Sequence, residues 1–140
     1  MKMRVFVDTN VLLDVFAQRE PFCADAMRIW TLAESGRIEA SVSALSFSNC
    51  YYLVRKHSGR GNAEKAIRLL RDTFTPVDLT AQVLNQAIDA ELNDFEDAIQ
   101  FYSAMRARAA CIITRNPDHF PRSHVGVFSP AEFLAKYSLC

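Results

Sequence analysis

Two short apolar runs constrain this chain more than any other feature. Arg4-Val5-Phe6-Val7 stops at Asp8-Thr9-Asn10, and Cys111-Ile112-Ile113-Thr114 stops at Arg115-Asn116-Pro117. Each is rich in β-branched or aromatic residues and bounded by polar ones, which is how a buried strand reads. Between and around them the pattern turns helical. Val11 to Phe16 forms a short helix broken by Pro21, and Ala26, Ile29, Trp30 and Ala33 recur at helical spacing until Gly36. Residues 38–42 alternate like a strand. Leu45 to Val54 is an apolar helix with Arg55-Lys56-His57 in its last turn, where cations suit the macrodipole. Ser58-Gly59-Arg60-Gly61 reads as a loop, and Asn62 as the cap of a helix burying Ala66, Leu69 and Leu70. Residues 75–77 form a brief extended piece, and Thr80 caps a further helix. Another helix runs from Asp94 to Ala110. Val125-Gly126-Val127 is a last short strand, and Ser129-Pro130 starts the final helix. Strands alternating with helices predict an α/β fold with a parallel sheet, the two apolar strands at its centre. Ligands of such sheets bind beyond the C-terminal strand ends, where the strand order reverses. Asp8 and the segment 114–118 therefore come first as candidates for chemistry.

Composition bounds the classes. The 140 residues suit one domain, 1–140, and half of them are hydrophobic against 23% charged, a globular balance. Sixteen basic and sixteen acidic residues cancel, so any case for nucleic acid has to rest on local chemistry. No apolar stretch approaches the length of a membrane span, and the basic start meets Asp8 too early for a signal peptide. Cys23, Cys50, Cys111 and Cys140 are scattered, with no C-x-x-C pair, which disfavours a zinc site and fits a reducing cytoplasm.

The acids are more informative. Asp8 has two readings, a helix cap or a carboxylate presented at the sheet edge. Thr9 and Asn10 could cap the same helix, so capping does not require Asp8. Asp94, Glu96 and Asp97 crowd one helix start, where acids suit the dipole and Asp94 with Asp97 fits a capping arrangement. Asp94 and Asp97 are also three apart and can share a face. If that face meets Asp8, three carboxylates converge. Close like charges raise one another's pKa, and a divalent cation with oxygen preference, Mg²⁺ or Mn²⁺, relieves them. Thr114 and Asn116 could add neutral oxygens there, and Arg115 could meet a phosphate or lie in solvent.

Phe6-Val7-Asp8-Thr9-Asn10-Val11-Leu12-Leu13-Asp14, then Asp94-Phe95-Glu96-Asp97-Ala98, then Ile112-Ile113-Thr114-Arg115-Asn116 resemble a PIN domain in order and spacing over almost the whole chain. The resemblance implies a three-layer α/β/α fold, with a central parallel sheet and an acidic pocket at its C-terminal edge. It also implies metal-dependent hydrolysis of RNA. Many small bacterial members are toxins of VapC-type toxin–antitoxin pairs and form homodimers. Asp8 matches the family's first acid, Asp97 its third, and Asp94 an extra acid of one branch. The second and fourth acids fall on Asn49 and Asn116, which keep an oxygen but lose a charge.

For an enzyme of this kind, Asp8 and Asp97 would hold the metal. Asp94 would act through water or as a base, with Asn49, Thr114, Asn116 and Asn10 in support and Arg115 on substrate. None of His57, His119 and His124 is needed. Arg55, Lys56, Arg60, Lys65, Arg68 and Arg71 could attract RNA, or form a solvated helix face. Tyr51 and Tyr52 could stack bases, or be buried in the core or a dimer contact. A PIN-fold binding module without cleavage activity is the alternative, with the two amides as its mark. Other α/β readings lack residues: Asp8-Thr9-Asn10 has no second acid for a dehalogenase-type phosphatase. Val77-Asp78 is a poor acceptor for a receiver domain, and no G-x-G-x-x-G supports a dinucleotide site.

Overall fold

The computed structural model describes residues 2–138. Five strands form one sheet: β1 (Met3–Val7), β2 (Ile38–Ser43), β3 (Thr75–Val77), β4 (Cys111–Ile113) and β5 (Gly126–Phe128). Their order is β3-β2-β1-β4-β5 and every pairing is parallel. The chain builds outward from β1 on one side, then crosses back to build β4 and β5 on the other. The reversal lies between β1 and β4, where Val5, Phe6 and Val7 stand opposite Cys111, Ile112 and Ile113.

Six helices cover the sheet: α1 (Thr9–Phe16), α2 (Cys23–Glu34), α3 (Ala44–Thr73), α4 (Ala81–Asp89), α5 (Phe95–Arg106) and α6 (Pro130–Ser138). Strand alternation divides the core in two. Val5, Val7, Cys111 and Ile113 pack with Leu12, Ile29, Trp30 and Phe133 from α1, α2 and α6. Phe6 and Ile112 point the other way, onto Phe101 and Ala104 of α5. This is the three-layer α/β/α arrangement. Among the described residues no helix is long and apolar enough to cross a membrane. Cys23, Cys50 and Cys111 are free, and Cys140 lies outside the described residues.

Caps follow local chemistry. Thr80 accepts the amide of Val83, and Ser129 and Glu132 exchange side-chain and backbone bonds at the start of α6, a capping box. Two boundaries differ from expectation. The loop at 58–61 shrinks to one non-helical residue, Gly59, at φ 86° and ψ 169°, with helix on both sides. Asn62 is therefore inside a helix, donating to the Ser58 carbonyl rather than capping. The α5 helix ends at Arg106, before 110, because Arg108 takes a positive φ of 56°.

Candidate active site

Asp8 is the first residue past β1. Its amide still bonds the Ile113 carbonyl at 2.9 Å, so the sheet itself fixes its backbone. It occupies the N-cap position of α1, yet its side chain makes no capping bond. The carboxylate instead accepts the Thr114 hydroxyl at Oδ2, 2.7 Å away. Thr114, fully buried just past β4, is held in turn by Asn10 Nδ2 and by the Asn116 amide, both donating to its Oγ1. Asn10 uses its carbonyl oxygen on the Arg115 amide. Asp8 is thus 5% exposed and braced from behind. Burial pushes its pKa up to about 6, and the charge on Asp97 adds to the rise. The Thr114 hydrogen bond and the nearby Thr9 and Asn10 amides oppose it.

The α5 helix supplies the second carboxylate. Asp94 caps it by accepting the Asp97 amide at 3.1 Å, which starts the helix with Asp97 in its first turn. Partial burial raises the Asp97 pKa, with Asp94 and Glu96 adding repulsion, while His119 pulls it down from 3.5 Å. One turn further, Gln100 is 4% exposed, and its Oε1 finds no partner among the described residues. Asp8, Asn10, Asn49, Glu96, Asp97 and Gln100 line one pocket of about 260 Å³. Asn49 reaches it from α3, whose first turn is tied to α1 by a buried 2.6 Å hydrogen bond between Ser46 and Thr9.

The structure brings Asp8, Asp97, Asn49 and Asn10 to one pocket and sets Thr114 directly behind it. The expectation that Asp94 shares the pocket wall is not met: its side chain is an exposed helix cap. Asn116 lies outside the lining too, joined to the site by its backbone. Arg115 does not face the pocket as a free phosphate ligand. Its guanidinium is spent on Asp14, which is buried on α1, and it lies over the Phe22 ring at 4.4 Å. Glu96, Gln100, His119 and Asp14 were not assigned to the site from sequence. Gln100 had one available signal: it is three residues beyond Asp97, the interval that separates Asp97 from Asp94.

This donor set can be tested against a divalent ion. Asp8 and Asp97 both have raised pKa values, chiefly because burial disfavours their charged forms and then because of neighbouring acids, and a bound cation would offset both effects. An unsatisfied buried amide oxygen is a group that native structures leave unpaired only at a cost of about 1–3 kcal/mol, and Gln100 supplies one in this pocket. Among the described residues, no three His, Cys, Asp or Glu side chains gather closely enough to hold an ion alone. The residues therefore fit a hard cation bound by two acids and neutral oxygens that keeps part of its water shell, as Mg²⁺ does.

A PIN domain family model matches residues 4–118. Among curated proteins, none matches the chain. Solved structures agree in fold. A toxin–antitoxin complex from Klebsiella pneumoniae superposes with a TM-score of 0.67 at 22% identity, covering 90% of this chain and 97% of that one. VapBC-1 from nontypeable Haemophilus influenzae gives 0.67 at 16% identity, with 92% and 99% covered. The sarcin-ricin loop cleaving toxin VapC20 of Mycobacterium tuberculosis gives 0.62 at 17%, with 77% and 86% covered. The matched segment runs from β1 past β4 and so contains Asp8, Asn49, Asp97 and Thr114: this chain belongs to the PIN domain family.

Proposed function

We propose that this chain is an Mg²⁺- or Mn²⁺-dependent endoribonuclease, the toxin of a VapBC-type toxin–antitoxin pair. The observation that carries this reading is the pairing of Asp8 with Asp97 in one pocket at the C-terminal end of β1, in a chain of PIN family membership. Similarity in fold to a sarcin-ricin loop cleaving toxin and to a Klebsiella toxin–antitoxin complex supports the substrate and the partner.

Asp8 and Asp97 would hold the ion, which when bound supplies a water of lowered pKa and a positive charge for phosphate oxygens. Thr114 keeps the Asp8 carboxylate aimed into the pocket by donating to Oδ2, so that Oδ1 is left for the ligand. Asn10 and the Asn116 amide fix Thr114. Asn49 offers a neutral oxygen, and Asp94 acts at a distance, adding negative potential at Asp97 while its oxygen caps the helix. Arg115 contributes by holding the loop after β4 to Asp14. The exposed cations of α3, Arg55, Lys56, Arg60, Lys65, Arg68 and Arg71, would attract the RNA backbone in a salt-dependent way. A homodimer in the cytoplasm, neutralised by a small antitoxin, completes the reading.

A second reading is favoured by one observation: amides stand at 49 and 116, and among the described residues no three acids gather closely enough to hold an ion. In that case the chain binds RNA or protein without cutting. Incubating purified protein with single-stranded RNA and Mn²⁺ separates the two. The first reading expects cleavage that chelator abolishes and that Asp8→Asn removes while the fold persists. Mn²⁺ binding without cleavage would select the binding module, and unchanged cleavage by Asp8→Asn would place the activity elsewhere.

A further inference from the structure

Gln100 is an uncharged side chain buried in the wall of the pocket. It lies a single turn beyond Asp97 on the same face of α5, is 4% exposed, and lines the pocket together with Asp8 and Asn49. Its Oε1 has no hydrogen-bond partner among the described residues. Ser103 Oγ shares that property, but Ser103 sits a further turn along and outside the pocket lining. A buried amide oxygen kept without a protein partner implies a donor that binds there. Around it Asp8 and Asp97 offer only acceptors, Thr114 donates to Asp8, Asn10 Nδ2 donates to Thr114, and the Asn49 amide in the same pocket makes no bond to it. A water in the shell of a divalent ion suits the position, because its protons point away from the metal toward acceptors and such ions keep several waters.

We infer that Gln100 is an outer ligand of the divalent-ion site, its side-chain carbonyl accepting a hydrogen bond from a water on the ion held by Asp8 and Asp97. This rests on the proposed metal-binding function and adds a residue to it. With no cluster of three acids to hold the ion among the described residues, groups that order the water shell carry a larger share of the affinity. Partners of this outer kind change metal affinity about 10- to 100-fold when removed.

The test is titration of the purified protein with Mn²⁺ alone, followed calorimetrically, beside thermal melts with and without the ion. Gln100→Leu is expected to bind Mn²⁺ at least about tenfold more weakly. Its melting temperature without metal should hold or rise, since an apolar isostere removes an unsatisfied buried group. The metal-induced rise in melting temperature should shrink. Gln100→Glu, which keeps the acceptor and adds charge, should bind more tightly than the wild type. Wild-type affinity in both variants would overturn the inference while leaving the metal site standing. A Gln100→Leu protein that melts lower with undiminished affinity would make Gln100 a packing residue and also overturn it. If Gln100→Leu does not fold, Gln100→Glu decides: affinity at or below wild type refutes the role. Failure of the wild type to bind Mn²⁺ would refute the function proposed above, and this inference with it.

Discussion

Burying one carboxylate beside another makes the fold hold a proton it would rather release. The Asp8 pKa rises from 3.8 to about 6. Between those values the native state binds more protons than the unfolded chain, so this residue's contribution falls as pH rises through that window. The loss is complete above about pH 6 and amounts to about 3 kcal/mol. Without metal, Asp8→Asn should therefore melt higher than the wild type at pH 7, and the two should converge near pH 4. A lower melting temperature for the variant at pH 7 would show that the buried charge is compensated. Asn49 offers the opposite experiment. Asn49→Glu adds charge to a half-buried pocket position and should tighten Mn²⁺ binding in titration calorimetry. A lower melting temperature without gain in affinity would remove Asn49 from the site. Asp8 was legible in the sequence because the residue that ends a buried parallel strand must emerge at the sheet edge. Gln100 was not, because its helical interval from Asp97 fits any surface glutamine, and its burial and missing partner are what single it out.

Elements meet beside the site through an ion pair that is buried at its Asp14 end and partly exposed at Arg115. Asp14 on α1, 2% exposed at its side chain, takes both Nε and a terminal nitrogen of Arg115, from the turn after β4. Arg19 approaches the same carboxylate at 3.9 Å. Arg115 keeps a quarter of its side chain exposed, so losing Asp14 leaves it a route to water and costs about 1–3 kcal/mol rather than the larger figure of a fully buried pair. Asp14→Ala should show a loss of that order in urea unfolding, and Asp14→Ala with Arg115→Ala should lose less than the sum of the single changes. Strict additivity would mean that the two do not act as a pair. In sequence Asp14 and Arg115 lie 101 residues apart, and nothing local signalled their pairing. The α3 helix shows the reverse failure. Its two glycines and serine read as a loop, yet Gly61 accepts helical geometry and the break falls on Gly59 alone. Turn composition marks where a helix can break, and the packing of both arms decides how much of it does.

At the scale of the whole molecule, the order β3-β2-β1-β4-β5 makes the outcome legible in outline: alternating strands and helices require crossovers, and the most apolar strands take the middle. Assembly is less legible. Tyr52, on the most apolar stretch of α3, is 70% exposed, and Leu69, Ile88 and Phe95 also stand about half exposed. The proposed homodimer would cover part of this surface. Light scattering should give twice the chain mass, and Tyr52→Asp should lower it if α3 is the contact. A monomer at high concentration would rule out self-association.

The brace between Thr114 and Asp8 spans 106 residues of chain. On a ribosome those two residues emerge roughly 5 to 20 s apart at ordinary rates of synthesis. During that interval Asp8 has neither its hydroxyl partner nor the strand that fixes its backbone from the β4 side. A nascent copy therefore lacks a braced carboxylate at position 8, and with it a finished pocket, until nearly all of the chain has been made.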